Sequence, residues 1–161
     1  MLMTARVLVP VTPFDPWTRS IARTVASIES ADSVLAELIY IFEEGEQKTT
    51  VANLDVEGCV DIDLLAARKS GPTTATEILG DAGFTCEISG IESAESGQAI
   101  LHHIDETDTD RVYMYGRKRS PVGKAVFGSD LQEVLFNASV PVIVLPADAV
   151  EPQSNQTMSD D

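Results

Sequence analysis

The chain has 161 residues, enough for one well-buried core and too few to expect two. Its net charge of −15, from 26 acidic against 11 basic side chains, argues against nonspecific binding to nucleic acid, whose phosphates it repels. No apolar run approaches the length that crosses a bilayer, so no membrane association is expected.

The first strand is expected at Arg6 to Val11 (RVLVPV), a short β-branched run. After the break at Pro13, Asp15 as N-cap with Pro16 at the first helical position predicts a helix start. Trp17, Ile21, Val25 and Ile28 recur at helical spacing and carry that helix to about Ser30. Leu35 to Phe42 reads as the second strand. From Glu43 to Gly71 the pattern is that of a polar loop, with a short helix at Asp63 to Lys69.

Thr74 to Glu77 has capping-box spacing and predicts a helix to Ala82, stopped by Gly83. Phe84 to Ile88 is expected as the third strand. A helix follows at Ser96 to Glu106, with Ile100, Leu101 and Ile104 inward, then a fourth strand at Arg111 to Tyr115. Ser129 opens the last helix and Val140 to Leu145 is the fifth strand. Strands alternating with helices imply an α/β fold: a five-stranded parallel sheet with helices on both faces. Residues 1–147 form one domain on this reading, and the polar, acidic segment 148–161 is expected to be a disordered tail.

Against that frame of acidic surface, Arg117, Lys118, Arg119 and Lys124 gather four of the eleven basic residues within eight positions. They follow the fourth strand and lead through Gly128-Ser129 into the last helix. Positive side chains ahead of a helix N-terminus suit an anion, because free amides and the helix dipole add to the fixed charge. With strand order 3-2-1-4-5, the order reverses between the first and fourth strands, where open α/β sheets bind ligands. The turn at Val11 to Pro13 then lies beside the basic loop.

Other motifs carry less. Six residues separate Gly116 from Gly123, and Ala125 follows Lys124, so the segment is not a P-loop. No GxGxxG follows a strand and no GxSxG is present. The adjacent His102 and His103 diverge by about 100° on a helix and read as surface residues; no metal site is expected. Asp61 and Asp63 do not make a catalytic pair, and no catalytic residues are nominated. Cys59 and Cys86 fit no zinc or redox spacing and are expected to be reduced. No secretory signal is visible, so a cytoplasmic location is expected. Few lysines on so acidic a chain suit a halophile.

VLVPV, the Ser96 to Tyr115 helix and strand, and the basic loop running through Gly128-Ser129 to PVIVLP together resemble a universal stress protein, over roughly Arg6 to Pro146. The resemblance implies a Rossmann-like adenine-nucleotide-binding fold and a phosphate loop of pattern GxxGx(9)G(S/T). Gly128-Ser129 match the end of that pattern. Lys118 and Tyr115 stand where its two earlier glycines belong, Gly116 is displaced by one position, and Thr12 replaces the acid that often reads adenine. The implied ligand is ATP or AMP, with Thr12 near the base and Gly116, Arg117, Arg119, Ser120, Gly128 and Ser129 toward the phosphates. The resemblance further implies a stress-response or signalling role without efficient turnover, and a homodimer through Val140 to Leu145. A nucleotide-independent dimeric interaction module, its basic loop contacting an acidic protein, stays open as the alternative.

Overall fold

In the computed structural model, residues 4–43, 45–46, 61–116 and 129–146 are described. Segments 117–128 and 147–161, with Cys59, lie outside them. The order along the chain is β1 (Ala5–Pro10), α1 (Asp15–Ile28), β2 (Val34–Phe42), α2 (Ile62–Ala67), α3 (Ser70–Asp81), β3 (Thr85–Glu92), α4 (Ser96–Glu106), β4 (Arg111–Gly116), α5 (Ser129–Asn137) and β5 (Val142–Pro146).

All four strand pairings are parallel and the sheet order is β3-β2-β1-β4-β5. The expected α/β architecture and strand order are therefore observed. Side chains alternate between the two faces of each strand. Val7, Val9, Leu38 and Tyr113 pack with Ile21, Val25 and Leu79 on one face. Leu8, Ile39, Val112 and Met114 pack with Ile100, Ile104, Leu131 and Val134 on the other. Helices cover both faces, which is why the strand sequences read as nearly continuous apolar runs.

Several boundaries differ from those the sequence suggested. Phe14, not Asp15, is the N-cap of α1. The Thr12 hydroxyl accepts from Phe14 N at 3.2 Å and starts the turn earlier, which frees Asp15 to pair with Arg19 at 2.6 Å. The helix stops at Ile28, which is 59% exposed, because Glu29 leaves helical geometry to meet Arg111 and Tyr113. Helix α3 begins at Ser70, ahead of the capping-box pattern, with Lys69 as N-cap. Pro72 fits there because the first turn has no intrahelical use for its missing N–H. Gly83, at φ +92°, ends the region as expected.

Strand β3 runs four residues past Ile88, through Ser89-Gly90. A Cβ at Gly90 would stand 2.6 Å from the Ile62 carbonyl oxygen, so glycine here admits α2 against the sheet. Asp61 caps α2 by accepting from Asp63 N, and Asp63 accepts from Gly90 N at 2.8 Å. These two carboxylates hold α2 on β3, a structural use of both.

Candidate functional site

The carboxyl ends of β1, β2 and β4 open into a cleft of about 640 Å³ at the reversal of strand order. Three helices begin at its rim: α1, α4 and α5. Thr12 lines the cleft. The Thr12 carbonyl accepts from the Thr18 hydroxyl at 2.9 Å. A Cβ on Gly71 would lie 2.6 Å from the same oxygen, so α3 presses closely on this turn.

One wall is aromatic. Phe14 meets Trp17 edge-on at 5.1 Å, and Trp17 lies tilted over Tyr115 at 5.2 Å. The Tyr115 hydroxyl accepts from Ile21 N at 3.3 Å, and burial pushes its phenol up. The opposite wall is aliphatic, built from Ile39, Ile41, Ile100, Met114 and Leu131. Polar groups enter at the helix starts: Ser96 of α4, and Ser129 and Asp130 of α5. Asp130 Oδ1 accepts from Gly97 N at 3.1 Å and so bridges the two helices.

At the outer end of β2, the Tyr40 hydroxyl donates to Glu46, which also pairs with Lys69 at 3.0 Å. The Lys69 ammonium stands over the Tyr40 and Phe42 rings at 5.5 and 5.6 Å. This cluster fixes Tyr40 at the side of the cleft, where burial and Glu46 push its phenol up.

Of the residues nominated from sequence, the structure brings Thr12 and Ser129 to one cleft. Gly116 ends β4, paired in register with Pro146. Arg117, Arg119, Ser120 and Gly128 lie outside the described residues. Sequence reasoning missed Phe14, Trp17, Tyr115, Ser96 and Asp130 as cleft residues. Trp17 was read only as core, and Tyr115 only as a departure from a glycine position. Their signal was positional: each lies at a strand's carboxyl end or in a helix's opening turn.

Of the two histidines expected at the surface, only His103 departs from that reading. His102 is exposed and pairs with Glu106 at 3.2 Å, whereas the His103 side chain is 13% exposed and bonds Glu37 at 2.8 Å. Among the described residues no group of three or more His, Cys, Asp or Glu side chains could hold a metal ion. Nor, among them, is any helix long and apolar enough to cross a membrane.

An open parallel sheet with a cleft at its switch point defines a Rossmann-like α/β protein. The chain belongs to the universal stress protein family, whose sequence model matches residues 3–146. No curated protein matches it. Among solved structures, a universal stress protein from Archaeoglobus fulgidus is 23% identical, with 89% of this chain and 98% of that chain covered and a TM-score of 0.65. A universal stress protein from Archaeoglobus fulgidus in complex with dAMP is 19% identical over 89% and 98%, with a TM-score of 0.61. A universal stress protein in complex with cAMP is 16% identical over the same shares, also with a TM-score of 0.61.

Proposed function

We propose that this chain is a cytoplasmic stress-response or signalling protein that binds an adenine nucleotide, ATP or AMP, at the switch-point cleft without efficient turnover. The observation that carries this reading is the chemistry of the cleft. An aromatic and an aliphatic wall suit a flat base, and helix N-termini with hydroxyls at Ser96 and Ser129 suit a phosphate. Proteins of the same fold in complex with dAMP and cAMP support it. Thr12 lies on the base side; Ser129, with Gly116, Arg117, Arg119, Ser120 and Gly128 from the adjoining sequence, serves the phosphate. In this reading the ligand acts by shifting a conformational population and not through turnover.

The acting unit in this reading is a homodimer through β5, and the acidic composition belongs to a halophile. Thermal melting with AMP and with ATP tests the nucleotide. Ligand at about 100 times its dissociation constant should stabilise the fold by about 2.7 kcal/mol. The Ser129→Ala variant should show a smaller shift; an undiminished shift would relocate the phosphate. A flat response to both nucleotides favours the second reading, a nucleotide-independent interaction module. That reading draws on Thr12, whose hydroxyl and carbonyl are already bonded within the fold.

A further inference from the structure

Two helix N-termini face the cleft side by side, and one residue stands between them. Helix α4 has Glu95 at its N-cap, and that side chain makes no capping bond. The Gly97 amide donates instead to Asp130 Oδ1 at 3.1 Å. Asp130 is itself in the first turn of α5, so a single carboxylate sits against the positive ends of both helices. Gly97 makes the approach feasible: a Cβ there would be 3.3 Å from the Asp130 Cα and 2.5 Å from Glu133 Oε1. The carboxylate thus occupies one first-turn amide of α4 and lays a negative charge beside the N-terminus of α5.

We propose that Asp130 is a specificity-determining residue that limits how much phosphate charge the cleft accepts, favouring a nucleoside monophosphate over a triphosphate. This rests on the adenine-nucleotide reading above and deepens it. A single phosphate group satisfies the α5 N-terminus and the Ser129 hydroxyl. Each further phosphate adds charge of the same sign as Asp130, and like charges within a helix turn of one another at a protein surface weaken binding by about tenfold or more. Glu43 is the other carboxylate lining the cleft, and no lysine, arginine or histidine lines it among the described residues.

The test is calorimetric titration of the full chain with AMP and with ATP, in EDTA at one fixed ionic strength, for the wild type and Asp130→Asn. Asparagine keeps an oxygen acceptor for Gly97 N and removes only the charge. The comparison also holds the basic residues 117–124 constant, so a change in selectivity reports Asp130 alone. The wild type should bind AMP at least as tightly as ATP. The variant should bind ATP about tenfold more tightly than the wild type, and AMP no more than about threefold more tightly. Asp130→Ser should move the ratio in the same direction, and melting curves establish that each variant is folded. A wild type that prefers ATP, or a variant that changes both affinities equally, overturns the role of Asp130 and leaves the nucleotide reading intact. Absence of binding for both nucleotides in both proteins overturns the two together.

Discussion

Glu37 Oε2, from the centre of β2, lies 2.8 Å from His103 Nε2 on α4, and the Glu37 side chain is only 4% exposed. Arg6 Nη1 at 2.9 Å and the Ser89 hydroxyl at 2.8 Å complete its partners. A carboxylate can only accept, so His103 Nε2–H donates to Glu37. Burial alone would push the Glu37 carboxyl up. Hydrogen bonds from His103 and Ser89, the His103 charge and Arg6 outweigh burial and hold it at about 2.

A carboxyl depressed from an ordinary 4.5 to about 2 adds stability that is fully present above the unfolded value and is lost as protons bind. The chain should therefore lose stability as pH falls through the window from about 4.5 to 2. Replacing His103 with alanine leaves a buried charge short of a partner and should cost about 3 kcal/mol in urea unfolding at neutral pH. Glu37→Gln should flatten the acid limb. An unchanged acid limb in that variant would mean another carboxylate governs it.

A second, partly buried network joins the end of α1 to β4. Glu29 accepts from Arg111 Nε at 2.8 Å and from the Tyr113 hydroxyl at 2.6 Å, and it also pairs with Arg111 Nη2. Tyr113 is fully buried. Tyr113→Phe removes the hydroxyl and keeps the ring, so about 1 to 2 kcal/mol of stability should be lost. Unfolding midpoints of the variant and wild type, at equal slope, measure it. A loss below about 0.3 kcal/mol would assign Glu29 to Arg111 alone.

Both networks show where the sequence was legible. Apolar runs announced most of the strands, and their alternation with helices announced a parallel sheet. The charged residues inside those runs, Glu37 within LAELIYIF and Arg111 ahead of VYMY, carried no such sign. Their partners come from segments distant in the chain, Glu37 with His103 and Arg111 with Glu29, and distant pairing leaves no periodic trace. Thr12 and Ser129 were legible at the cleft because they lie at a strand end and a helix start. Trp17 and Tyr115 occupy similar positions, but an aromatic residue in a cleft wall and one in a core share the same spacing, so position alone did not assign them to the cleft.

Gly71 and Gly80 lie on the same helix and should respond to alanine with opposite signs. At Gly71 the added Cβ would stand 2.6 Å from the Thr12 carbonyl oxygen, a backbone atom that cannot swing away. The variant should lose about 1 to 3 kcal/mol and shift the Thr12 turn, weakening nucleotide binding if it occurs there. At Gly80 nothing lies within 4 Å of the new Cβ. Alanine there should add up to about 1 kcal/mol, through higher helix propensity and a less flexible unfolded chain. Thermal melts of the two variants check both signs, and equal losses would remove the close contact as the cause.

The β5 edge supplies the last prediction. Among the described residues β5 pairs with β4 alone, and we propose that its other side takes a strand from a second copy. Phe136, on the last turn of the helix that leads into β5, is 81% exposed, the most exposed of the large apolar side chains described. We propose that a second copy pairing along this edge also covers the Phe136 ring. Light scattering of the wild type should give the mass of a dimer. Phe136→Glu should shift it toward the monomer while leaving the circular dichroism spectrum unchanged, because Phe136 contributes little to the protomer's own core. A monomeric wild type at every protein concentration tested would remove the dimer. A dimer that survives Phe136→Glu undiminished would place its interface away from this edge.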